Sequence, residues 1–162
     1  MANTSVEAQK TIDRRCAVFV ERTLMDWLKY IDHTADEGII VTAPDLETLF
    51  ERAATGMFTI LTDIDSVRKV RQVDIRLEAD DLQSLIVKWL SELNFRLQDQ
   101  GMLFRSFNVK QITSTHLLAQ AAGEQIDPDR HDLYTEIKAV TYHELEIEKK
   151  NHNWQAKVIF DI

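Results

Sequence analysis

The sequence predicts an α+β fold, an antiparallel or mixed β-sheet layered with two main amphipathic helices. Three observations carry that reading. Two segments, one behind Asp45 and one behind Asp81, place apolar residues at helical spacing. Residues 72–79 alternate polar and apolar side chains with period two, the signature of a strand with one wet face. After Gly101 the chain reads as successive strands with short polar connections, which favours pairing between neighbours in sequence.

Taken in order, Trp27 to Ile31, carrying Tyr30, reads as the first strand. Asp32-His33-Thr34-Ala35-Asp36-Glu37-Gly38 is short, polar and ends in glycine, so it is a loop or a strand bend. Gly38 to Thr42 reads as the second strand. Pro44-Asp45 marks a boundary, and the Asp45 carboxylate can accept from the free N–H groups of a first helical turn. Leu46, Leu49, Phe50, Ala53, Met57, Phe58 and Leu61 then form the apolar stripe of a helix ending near Thr62-Asp63. Val73, Ile75, Leu77 and Ala79 are the apolar positions of the next strand.

Asp80-Asp81 caps the second helix and suits the positive end of its dipole. Its stripe is Leu82, Leu85, Ile86, Trp89, Leu90, Leu93 and Leu97. Strands are expected around Phe104, Phe107 and Val109, from His116 to Gly123, from Glu136 to Glu148 and from Trp154 to Asp161. Lys149 to Asn153 is a polar turn between two alternating runs, so the last two strands form a hairpin. The order is ββαβα followed by four or five strands.

The chain has 162 residues, a length that forms one domain and buries about 70% of the surface its unfolded form exposes. Four Gly and two Pro leave little room for linkers. Residues 1–23 lack a pattern and read as a variable extension with a helical turn around Ala17 to Leu24, and residues 24–162 read as the domain. The balance of 19 Lys and Arg against 27 Asp and Glu gives a net charge of −8. That argues against a dominant nucleic-acid surface, which shows as a clustered basic excess. With one cysteine, Cys16, no internal disulfide can form. The N-terminus has polar and acidic residues where a signal peptide has an apolar run, and no apolar run approaches the roughly 20 residues of a membrane span. The expectation is a soluble cytoplasmic protein.

A glycine-rich phosphate loop, a zinc-type cysteine pair and the serine-hydrolase and zinc-protease signatures are all absent. Cys16 has only Arg14-Arg15 nearby and is not expected to be a nucleophile. The segment Asp32 to Asp36 has two readings: a turn in which Asp36 accepts backbone N–H bonds, or a cluster with metal or acid–base chemistry. Val158-Ile159-Phe160-Asp161-Ile162 also has two: an edge strand with a solvated tail, or a site where the Asp161 carboxylate and the Ile162 α-carboxylate meet Asp36 around a hard cation. Gly123-Glu124 with Asp127, Asp129, His131 and Asp132 does not match calcium-loop spacing and reads as a solvated acidic loop. Lys138 is expected on the wet face of a strand, and His116 and His143 on strand surfaces.

Together, Tyr30 to Asp36, the helix from Leu46, Asp80 to Leu85, Gly123-Glu124, Ile137-Lys138-Ala139-Val140-Thr141-Tyr142-His143 and the terminal Val158 to Ile162 resemble the archease family. The resemblance runs in order from about residue 26 onward, and Glu37 departs from it where an apolar residue is expected. It implies an accessory protein, not an enzyme. Its expected partner is the GTP-dependent RtcB-type tRNA-splicing ligase, whose guanylylation and multiple turnover it promotes. A chaperone-like role toward a tRNA-modifying enzyme such as a methyltransferase is the alternative. The resemblance also implies a divalent cation, calcium being the family's usual one, held by Asp36, Asp161 and Ile162, with Lys138 functional. Lys138 and His33 are the expected partner or phosphate contacts. The net charge of −8 favours a protein partner over strong direct RNA binding, and no membrane is expected. A third reading, a hydrolase with Asp36 and Asp161 as metal ligands and His33 as base, lacks an evident nucleophile or substrate loop.

Overall fold

A computed structural model describes residues 25–32 and 36–162. The expectations for residues 1–23, Cys16 and His33 lie outside the described residues. The strands are β1 (Leu28–Asp32), β2 (Asp36–Ala43), β3 (Arg71–Glu78), β4 (Met102–Ile112), β5 (His116–Gln125), β6 (Ala139–Val140), β7 (Glu146–Lys150) and β8 (Asn153–Asp161). The helices are α1 (Leu46–Leu61) and α2 (Leu82–Gln100). A short 3-10 turn at Ile64–Ser66 follows α1.

The two helices start where the sequence says. Asp45 accepts from the Thr48 N–H at 2.7 Å, and Asp81 accepts from the Ser84 N–H at 2.7 Å. Each carboxylate thereby satisfies one of the orphan donors of a first turn. Gly101 closes α2 in the left-handed conformation, with φ of 65°, which a glycine adopts without a Cβ clash.

The strands do not form one sheet. They form two, and every pairing is antiparallel. The first runs β1-β2-β8-β6, with β7 also on β8; the second runs β3-β5-β4. α1 packs against β2 and β8 of the first and β4 of the second. Covered by both sheets, its second half is buried all round, from Gly56 to Leu61. Its one-sided stripe therefore understated its burial. Phe58 sits against Phe104 and Phe107, with ring centroids 5.8 and 5.5 Å away. α2 lies beside α1, and the fully buried Trp89 donates its indole N–H to the Phe50 carbonyl at 3.0 Å.

The expected strand from Glu136 to Glu148 is not continuous. Only Ala139–Val140 and Glu146–Lys150 are strand, and both pair with β8. Between them Thr141 donates both its N–H and its hydroxyl to the Ile159 carbonyl. The chain then turns at Tyr142 to Leu145, where Glu144 has a φ of 49°. No glycine or proline marks that break. The expected final hairpin is present. Asn151 and His152 are its two-residue loop, with φ of 48° and 73°, the primed turn whose twist matches the strands it joins.

Gly123 fixes how β5 meets β4. A Cβ there would stand 1.8 Å from the Leu103 carbonyl oxygen and 2.7 Å from the Phe104 Cα, at the bulge between Phe104 and Ser106. Gly123→Ala is therefore expected to cost at least about 2 kcal/mol in urea denaturation, because backbone rather than a flexible side chain must move. A loss within experimental error would contradict this packing.

Candidate functional site

β2 and β8 set the site. In their antiparallel register Asp36 lies directly opposite Asp161, and on the other side of β8 Asp161 faces Ala139 of β6. Residues directly opposed in such a pair share a face, with Cβ atoms about 5 Å apart. The inward face carries Ile39, Val41, Ala156, Val158 and Phe160, all within the core. Asp36 and Asp161 have the opposite parity and project away from it. Asp36 is half-buried and Asp161 exposed. The next outward row is apolar. There Ile31, Gly38 and Ile159 are register neighbours, and a Cβ on Gly38 would stand 2.7 Å from Ile159 Cδ1.

Two carboxylates directly opposed across strands repel each other. Among the described residues neither has a hydrogen-bonded or ionic side-chain partner. The Lys138 backbone adjoins Asp161. Its N–H donates to the Asp161 carbonyl at 2.7 Å, while its side chain is exposed. Lys138 precedes β6 rather than lying on the wet face of a long strand. Ile162 follows Asp161 directly and is half-buried against the core. Asp36, Asp161, Ile162 and Lys138 thus meet at one end of the five-stranded sheet.

The donor set fits a hard cation in part. Among the described residues no three His, Cys, Asp or Glu side chains gather as a metal cluster. The two aspartate carboxylates are oxygen donors of the kind calcium or manganese accepts. Glu37, the departure from the family pattern, pairs with Asp32 and Phe160 in register and so lies on the other face of β2.

The acidic loop after Gly123 is not simply solvated. Glu124 and His131 are buried, at 8% and 4% exposure. Glu124 Oε1 accepts from the Arg68 N–H at 2.8 Å and lies 3.0 Å from His131 Nε2. Its Oε2 accepts from Arg130 at 2.8 Å. The Asp127 N–H donates to His131 Nδ1, so the ring proton sits on Nε2 and points at Glu124. Local spacing gave no sign that Arg130 and His131 fold back onto Glu124. Asp129 and Asp132 are exposed, as expected. His116 is an exposed strand residue near Glu78, and His143 is exposed in a turn rather than on a strand.

The sequence profile of the archease protein family matches residues 28–162. The chain belongs to the archease family. A protein archease from Methanopyrus kandleri is 40% identical over 141 residues, covering 85% of this chain and 100% of that relative. One from Pyrococcus abyssi is 38% identical over 141 residues, covering 84% of this chain and 98% of the relative. The solution structure of Methanobacterium thermoautotrophicum protein 1598 superposes with a TM-score of 0.67 at 34% identity, covering 85% of this chain and all of that one. A Thermotoga maritima protein, described as an archease and possible chaperone, matches the fold with a TM-score of 0.57 at 18% identity over 83% of this chain and 96% of that one. The α+β archease fold is thus shared by two solved structures. No described helix is long and apolar enough to cross a membrane.

The Arg130 guanidinium, with the Arg68 N–H and His131, holds the Glu124 carboxyl at about 2, below its usual 4.5, against the opposing effect of burial. A carboxyl lowered on folding stabilises the protein above its unfolded value and loses that contribution as pH falls toward the folded one. Stability is therefore expected to fall between pH 4.5 and pH 2. Glu124→Gln should be less stable than wild type at pH 7 and should lose less across that window. Thermal melts of both proteins at stepped pH check this, and parallel pH profiles would contradict it.

Proposed function

We propose that this archease is an accessory protein of a GTP-dependent RtcB-type tRNA-splicing ligase, promoting its guanylylation and multiple turnover. The observation that carries the reading is the direct apposition of Asp36 and Asp161 on the outward face of the sheet, with the Lys138 N–H bonded to the Asp161 carbonyl. Asp161 is exposed there, while Ile159 beside it on the same face is 3% exposed. The net charge of −8 makes a basic protein surface, rather than RNA, the complementary one.

In this proposal the Asp36 and Asp161 carboxylates and the Ile162 α-carboxylate hold a divalent cation, calcium by family precedent, with waters completing the shell. Bound there, the cation would offset negative charge near nucleotide phosphates. The chain's own residues do the placing. β2 and β8 fix the carboxylates in register, and the apolar row of Ile31 and Ile159 backs them. The Lys138 ammonium, exposed and without an ion-pair partner among the described residues, supplies a positive contact for a phosphate or an acidic patch of the ligase. His33 joins the site by sequence position only.

A second reading, a chaperone-like module for a tRNA methyltransferase, draws on the exposed Val70, Phe95, Leu133 and Tyr142 and on the chaperone description of the Thermotoga protein. One assay separates the two: RNA ligation under single- and multiple-turnover conditions, with the cognate ligase, GTP and manganese. Wild type is expected to stimulate. Asp36→Ala and Asp161→Ala should lose that stimulation by at least roughly tenfold, since even the partners of metal ligands are worth that much. A chain extended beyond Ile162 should be impaired in the same direction. Full stimulation by both aspartate variants would discard the site. Absence of stimulation by wild type would discard the ligase in favour of the chaperone reading.

A further inference from the structure

The carbonyl of Ile137 and the N–H of Lys138 belong to one peptide group, and that group is held from both sides. Its N–H donates to the Asp161 carbonyl at 2.7 Å. Its oxygen accepts from Asn94 Nδ2 at 2.8 Å and from Gln98 Nε2, two side chains one turn apart on α2. Residues four apart on a helix share a face, so the two amides form a fork that closes on one acceptor. Hydrogen bonds to a carbonyl also polarise the N–H of the same group and strengthen the bond it donates.

Asn94 is a costly residue to keep there. It is 5% exposed, on a helix face otherwise built from Leu90, Leu93 and Leu97. Among the described residues its buried Oδ1 has no hydrogen-bond partner. An unmet buried acceptor opposes folding, so stability alone would favour leucine at this position. There is room for one, because Asn94 and Gln98 line a pocket of about 470 Å³ with Leu97, Ile126 and Leu133. What the amide provides is its donor to Ile137. A local rule broken in the core points to function.

We infer that Asn94 and Gln98 are positioning residues. From α2 they fix the Ile137–Lys138 peptide and so hold Lys138 and the Asp161 backbone in place relative to Asp36. The inference rests on the reading of Asp36 and Asp161 as a cation site and names the residues that brace that site from behind.

The test uses the full chain with Asn94→Leu, Gln98→Leu and both together. Gln98 is at an exposed position, so its single variant remains informative if the buried substitution disturbs folding. Two quantities are read: amide hydrogen exchange of Lys138 in metal-free protein, and manganese(II) affinity from broadening of the Asp161 amide signal. In the double variant Lys138 should exchange roughly tenfold faster, the equivalent of one net hydrogen bond. Manganese should bind about tenfold more weakly, the usual effect of losing a brace behind a metal ligand. Asn94→Leu alone should melt no lower than wild type, which separates positioning from mere stability. Unchanged Lys138 exchange in the folded double variant would overturn the inference. So would faster exchange with unchanged manganese affinity. If wild type binds no manganese, the cation reading fails by itself, and Lys138 exchange alone decides the brace.

Discussion

The register between β2 and β8 is the constraint on which the rest depends. Side-chain direction along a strand alternates strictly, so one pairing decides two things together. It turns Ile39, Val41, Val158 and Phe160 onto the helices, and it turns Asp36 and Asp161 outward and against each other. A slip of one residue would bury the carboxylates and expose the core. The energy of the inward face, large and apolar, thus enforces an outward contact that is repulsive taken alone.

α1 makes this platform stiff. Both sheets cover it, so Phe50, Met57 and Phe58 have no solvent side, and Trp89 ties α2 to it through the Phe50 carbonyl. α2 in turn reaches the segment before β6 with Asn94 and Gln98. The site is assembled from β2, β8 and the strand-like piece at 138–140, each pressed against a helix that cannot move independently. Close packing of this kind transmits small displacements rather than absorbing them.

Much of this was legible in the sequence. Both helices, their Asp45 and Asp81 caps, the alternating β3 and the final hairpin follow from local chemistry that acts within a few residues. Resemblance to a family marked Asp36, Asp161, Ile162 and Lys138, and the fold brings these together. What escaped is non-local. Two antiparallel sheets and one read alike, because period-two alternation says which residues share a face but not which partner they face. The break after Val140 carries no glycine or proline; between the two pairings five residues, 141–145, stand opposite only Val158 and Ile159 of β8. Glu124 looked like part of an acidic, solvated loop because its cation, Arg130, and its histidine arrive by a turn that composition does not show. No local signal marks Asn94, because its acceptor, Ile137, lies far along the chain.

The order of the strands also says when the site comes into being. β3, α2, β4 and β5 are contiguous in sequence and can close their sheet through short loops. β2 must wait for β8, from the other end of the described chain, and the entropy of closing so long a loop is met only once many other contacts are in place. Without β8, β2 would have an unpaired edge on that side, the kind of edge that invites pairing with another chain. The carboxylate pair is therefore a contact of high sequence separation. The pair exists only where strands from the two ends of the described chain have met.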